Sequence, residues 1–201
     1  MAGDARPPLS TSTLWVTLSR MTKLIQPLVE GPVDIVGDVH GEIDALQALL
    51  RRLGYDEKGR HPAGRRLVFV GDLTDRGPDS VAVVEVVRQL VDAGRAQCVL
   101  GNHDFNLLCD HRKLENKWFY GDEYHDESGR LLPMRLARAA ERQPIIAFFA
   151  TLPLALERSD LRVVHACWDD TKVAEARACT DARVTYELYR RRLEARLASL
   201  E

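Results

Sequence analysis

Three short apolar runs, each ended by a glycine and a polar side chain, constrain this chain more than any other feature. They are VDIVGD (33–38), LVFVGD (67–72) and QCVLGN (97–102). Runs of this length, rich in β-branched residues and closed by glycine, read as buried strands. Ile43, Leu46, Leu50 and Leu53 follow the first run at spacings of 3, 4 and 3, one apolar face of a helix. Val83, Val84, Val87, Leu90 and Val91 form a second stripe after the second run, and Pro78 suits the first position of that helix. Strand and helix alternate, which predicts parallel βαβ units and an α/β fold.

Past residue 108 the pattern changes. Residues 109–132 are charged, with Trp118, Phe119, Tyr120 and Tyr124 interspersed, and read as a surface insertion able to act as a lid or rim. Packing is the favoured role for its aromatic cluster. Helices are expected over 134–142 and 145–151, and LRVVHA (161–166) is a fourth expected strand. From residue 180 a closing helix carries Tyr186, Tyr189, Leu193, Leu197 and Leu200 on one side, a stripe suited to core or partner packing, self-association included. Residues 1–30, with a Pro-Pro break, are expected to be a flexible leader, Met21 being an alternative start. Residues 31–201 then make one domain, as a chain of this length favours.

Net charge of −2 gives no support for a nucleic-acid-binding surface. The most apolar stretch, 144–156, holds two prolines and is shorter than the ~20 apolar residues of a membrane span. The amino terminus lacks the apolar core of a secretory signal. Cys98, Cys109, Cys167 and Cys179 show no CxxC spacing. A cytoplasmic protein with reduced thiols is the expectation.

Ligands of open parallel sheets sit at the carboxyl ends of the strands. Here those ends carry GDVHGE, GDLTDRGP and GNHD, and the fourth expected strand ends in His165. Asp38, His40, Asp72, Asn102, His103 and His165 thus offer carboxylate, imidazole and amide donors without thiolate. That mixture suits borderline divalent metals. A carboxylate between two such ions can bridge them, and the pair can clamp a displacement at phosphorus. Taken singly, the bland readings hold: Asp38 as a helix N-cap, Asp75–Arg76 as a loop ion pair, Asn102 as a turn residue. They weaken together, because all would have to coincide at one sheet edge.

GDVHG, GDLTDRG and GNHD resemble, in order, the three amino-terminal signatures of the calcineurin-like metallophosphoesterases. The likeness is to the branch of phosphoprotein phosphatases and bacterial symmetrical dinucleoside tetraphosphatases, over roughly residues 33–170. The resemblance implies an α/β/β/α sandwich, incomplete in its carboxyl-terminal sheet. It implies that Asp38 and His40 hold one cation, Asn102 and His165 a second, and that Asp72 bridges them. His103 is then the general acid, oriented by Asp75, and Arg76 grips the phosphoryl oxygens. Manganese is the foremost candidate, ahead of iron, zinc, cobalt or nickel. The implied reaction is attack of a metal-bound hydroxide on phosphorus in a phosphoprotein or a nucleotide polyphosphate.

One signature is missing. The family supplies a late Gly-His pair as a further ligand, and no histidine follows His165. Asp169 or Asp170 is a candidate substitute, and the chain ends within an amphipathic helix, compatible with truncation. The alternative to an enzyme is therefore a shortened relative with a weakened second metal site that acts by binding. A nuclease ranks third.

Overall fold

Leu67, Val68 and Phe69 are all fully buried, which requires a strand covered on both faces. The computed structural model describes residues 23–125 and 131–198 and puts these three in the middle strand of a parallel sheet. The elements run β1 (Ile25–Pro27), β2 (Val33–Val36), α1 (Ile43–Leu53), β3 (Arg66–Phe69), α2 (Ser80–Asp92), β4 (Ala96–Cys98), α3 (Asn102–Leu108) and α4 (Lys117–Tyr120). There follow β5 (Tyr124–His125), β6 (Leu131–Leu132), α5 (Ala139–Phe149), β7 (Ala155–Glu157), β8 (Arg162–Val164), α6 (Asp170–Ala176) and α7 (Ala182–Ala198). One sheet has the order β2-β3-β4, all parallel; a second has the order β1-β7-β8, with β8 antiparallel.

The period-2 alternation of a strand sorts these side chains into layers. Leu67 and Phe69 enter a core with Leu46 of α1, Val83, Val84 and Val87 of α2 and Phe148 of α5. Val68 turns the other way and, with Val99, meets Leu156 and Val163 of the second sheet. On that sheet's outer face Ile25 and Ala155 pack against Val173 and Ala176 of α6. Helices, sheet, sheet and helix make the expected α/β/β/α sandwich.

Several expectations need correcting. Residues 25–27, expected in the leader, are β1, and the Leu24 carbonyl accepts from the Leu154 N–H at 2.7 Å. Gln97 clasps this segment from β4, accepting from the Val29 N–H at 2.8 Å and donating to the Pro27 carbonyl at 2.9 Å. Residues 1–22 of the leader and Leu200 lie outside the described residues. Helix α2 starts at Ser80 rather than Pro78, because the Asp79 side chain caps it by accepting from the Ala82 N–H at 2.8 Å. The two helices expected over 134–151 are one, α5, which runs through Pro144. Loss of one backbone bond there is outweighed by burial of Ile145, Phe148 and Phe149.

The fourth expected strand exists as β8, but it belongs to the second sheet, so His165 reaches the site from across the sandwich. In the insertion, Trp118 and Phe119 of α4 join the main core, in line with packing. The stripe on α7 is not core: Leu193 and Leu197 are exposed, as are Val184 and Leu188. Among the described residues no helix is long and apolar enough to cross a membrane.

Candidate metal centre

The loops after β2, β3 and β4 converge because glycines let their backbones touch. Gly71 has φ +95°, and a Cβ there would collide with the Gly101 nitrogen; one on Gly101 would strike the Asp72 nitrogen and Oδ1. The same loops hold His40, Asp72, Asp75 and Arg76 at positive φ, from 47° to 73°. Such conformations are costly for residues with a Cβ, by about 1–3 kcal/mol each, and persist only where surroundings enforce them. Asp104 is part of that enforcement. Its fully buried Oδ1 accepts from the Leu73 N–H at 3.0 Å and the Thr74 hydroxyl at 3.0 Å. Burial, and then the charge of Asp72, push its carboxyl up to about 6. This is the role of structural support rather than of ligand.

At the centre lies Asp72 Oδ2, 3.8 Å from His40 Nε2 and 3.5 Å from His165 Nε2. The other oxygen, Oδ1, accepts from the His103 N–H at 2.9 Å. Asp38 Oδ2 is 3.9 Å from His40 Nε2, and Asp38, Asp72 and His165 offer ligand atoms within 4.8 Å of one another. Asn102 Oδ1 is 2.9 Å from His165 Nε2. The chain thus brings all five expected metal-site residues to one point. Asp38 is half exposed and caps no helix, since α1 begins after Glu42, which also lacks a side-chain cap bond.

Both flanking imidazoles are aimed the same way. His40 Nδ1 lies 2.9 Å from the Thr74 carbonyl, and His165 Nδ1 lies 2.9 Å from the Val70 carbonyl. Each carbonyl selects the tautomer with hydrogen on Nδ1, which leaves a lone pair on Nε2 facing Asp72. For His165 both ring nitrogens then face oxygen, yet a neutral imidazole has one N–H to give. A cation among His165 Nε2, Asn102 Oδ1 and Asp72 Oδ2 would complete that geometry. The donor set, nitrogen and oxygen only, fits a borderline divalent cation.

Beside this cluster stands a second constellation. His103 Nδ1 lies 2.7 Å from Asp75 Oδ2, and Trp118 Nε1 donates to Asp75 Oδ1 at 2.6 Å. Burial pushes the Asp75 carboxyl above its ordinary value, against the opposing bonds from Trp118 and His103. Arg76 Nη1 and Nη2 reach His40 Nε2 at 3.1 Å and His103 Nε2 at 3.2 Å, while Arg76 Nε donates to Glu115 at 3.3 Å. The expected catalytic residues His103, Asp75 and Arg76 are therefore contiguous with the metal site.

Glu115 and Trp118, and the carbonyls of Val70 and Thr74, are partners that sequence reading missed. Nothing local marks them; Trp118 lies 43 residues from the carboxylate it binds. Asp169 and Asp170, the candidate substitutes, stand in none of the donor groups among the described residues: Asp169 caps α6 through the Lys172 N–H at 3.0 Å, and Asp170 accepts from the Trp168 indole at 2.8 Å. His61 is likewise spent elsewhere, 3.0 Å from the Leu53 carbonyl.

A two-sheet sandwich whose strand ends gather this donor set is a metallophosphoesterase domain. The chain belongs to the calcineurin-like phosphoesterase family, whose sequence model matches residues 31–172. It is 50% identical over 144 residues to the asymmetrical bis(5'-nucleosyl)-tetraphosphatase PrpE of Oceanobacillus iheyensis, covering 67% of this chain and 54% of the relative. To the symmetrical bis(5'-nucleosyl)-tetraphosphatase of Methylococcus capsulatus it is 34% identical over 134 residues, 65% of this chain and 41% of the relative. A cold-active protein-tyrosine phosphatase of the psychrophile Shewanella sp. aligns over 80% of this chain and 54% of its own, with 19% identity and a TM-score of 0.46. The chain spans about half the length of the curated relatives it matches.

Proposed function

We propose that this domain is a divalent-metal-dependent hydrolase of nucleotide polyphosphates, with manganese as its working cation. The observation that carries the reading is Asp72 Oδ2 standing between two imidazole lone pairs, beside His103 and Arg76. In this reading Asp38 and His40 would hold one cation and Asn102 and His165 the other, with Asp72 available to both. Bound cations supply Lewis acidity, neutralising phosphoryl charge and acidifying water.

The remaining steps fall to the protein. His103 commits its Nδ1 hydrogen to Asp75, so Nε2 is the atom that carries a proton to the leaving oxygen. Asp75 cannot swing away, because Trp118 holds its other oxygen. Arg76 is exposed and can turn its planar guanidinium onto two phosphoryl oxygens. The names of the curated relatives favour a nucleotide polyphosphate over a phosphoprotein as substrate.

The test is manganese-dependent hydrolysis of diadenosine tetraphosphate by the purified chain. The expected result is turnover abolished in Asp72→Asn and lowered at least a hundredfold in His103→Asn. Metal-loaded protein as inert as Asp72→Asn would refute the reading. One observation favours a second possibility, a binding module with a weak second site: Asn102 brings a neutral amide to the His165 side, where the His40 side has the carboxylate of Asp38. That alternative expects one tightly held metal per chain and no turnover.

A further inference from the structure

A cleft of about 470 Å³ opens directly onto the metal cluster, and Asn102 and His165 belong to both. Its size is that of an ordinary small-molecule site. Away from those two residues the walls are largely apolar, with three aromatic rings, Phe105 from α3 and Tyr186 and Tyr189 from α7. The rings are held in place. Tyr186 stands edge-on to Phe105 with centroids 5.2 Å apart. The Tyr189 hydroxyl donates to Glu175, and Lys172 Nζ lies 4.8 Å from the Tyr189 ring centroid, on the cleft wall.

Aromatic walls with a cluster of metal-ligand donors at one end match the two ends of a nucleotide. A base seeks a stacking surface, and its phosphates seek cations. We infer that this cleft holds the nucleobase of a nucleotide polyphosphate whose reacting phosphate lies at the metal cluster. Tyr186 and Phe105 are the base-contacting residues. The inference rests on the hydrolase reading above and specifies where that substrate's base goes.

Helix α7, which carries Tyr186 and Tyr189, lies outside residues 31–172 matched to the family. The part of α7 that bears exposed Leu193 and Leu197 is not among the cleft's lining residues; the part that bears Tyr186 and Tyr189 lines the cleft.

The experiment compares kcat/KM for diadenosine tetraphosphate with kcat/KM for inorganic tripolyphosphate, which has no base, in the manganese-loaded full chain. In Tyr186→Ala the ratio of the two is expected to fall at least about fivefold, equivalent to about 1 kcal/mol. Tyr186→Phe, which keeps the ring, retains the ratio. AMP binding by titration calorimetry is expected to weaken in parallel, a readout independent of turnover. A ratio and an AMP affinity unmoved by Tyr186→Ala overturn the inference, whatever the activity. Loss of a dimer in sedimentation with the ratio unchanged would make this face a contact between copies instead. Absence of turnover with AMP binding still weakened by Tyr186→Ala would sink the hydrolase reading and leave the base site standing.

Discussion

Replacing Asp104 by alanine removes the strut beneath the loop that carries Asp72, Thr74 and Asp75. Two buried donors, the Leu73 N–H and the Thr74 hydroxyl, lose their acceptor, and both residues are fully buried. An orphaned buried donor costs about 1–3 kcal/mol, so the pair costs about 2–6 kcal/mol. Part of this is offset, because the variant also removes a buried carboxyl whose ionisation is disfavoured by burial and by Asp72. The expected net loss is about 2–4 kcal/mol, a shift of about 1–2 M in the urea midpoint for an m-value of about 2 kcal/mol/M. Unfolding of metal-free protein, followed by tryptophan fluorescence, reads this directly. Asp104→Asn keeps one oxygen for both donors and should recover most of the loss. Manganese affinity should fall about 10–100-fold in the alanine variant, since the Thr74 carbonyl that orients His40 rides on the same loop. A loss below about 1 kcal/mol with unchanged metal affinity would refute the assignment of Asp104 as the strut.

Other expectations follow from single contacts. Trp118→Phe removes a charge-assisted bond to buried Asp75, so stability should drop by about 2 kcal/mol. In the same variant kcat should fall more for alkyl phosphates, which need protonation on leaving, than for p-nitrophenyl phosphate; equal losses would count against His103 as the acid. Gly101→Ala forces a methyl against the Asp72 backbone, with an expected cost of about 2 kcal/mol and a thermal midpoint lower by about 4–8 °C. A midpoint within 1 °C of the parent would contradict the close approach. Asp34, held below its ordinary 3.8 by Arg65 and then by Tyr55, contributes stability that is complete above about pH 4 and is lost as pH falls through its folded value. The stability gap to Asp34→Asn should therefore be larger at about pH 7 than at about pH 3; a gap independent of pH would refute the ion pair.

The site was legible where chemistry is written locally. GDVHG, GDLTDRG and GNHD each pack a strand end, a glycine and the donors into a few residues, so Asp38, His40, Asp72, Asn102, His103, Asp75 and Arg76 stood out together. His165 is a candidate by its place at a strand end, and it reaches the cluster from a strand of the opposite sheet. What stayed hidden depends on distant parts of the chain. No pattern within residues 25–27 announces that β1 will pair with β7, and the Pro-Pro break at residues 7–8 argues for a loose leader. The role of Trp118 arises from a fold-wide contact, while its neighbours described only an aromatic, charged segment. Helix α5 ran through Pro144 because burial of three large side chains exceeds one lost bond, a balance local propensity does not contain.

The central claim is that the Asp72 carboxylate is shared by two cations. Anomalous diffraction from crystals grown with manganese measures this most directly. The expected result is two manganese peaks on opposite sides of the Asp72 carboxylate, one beside His40 and one beside His165. A single peak bound by His40 alone, or peaks away from Asp72, would contradict it.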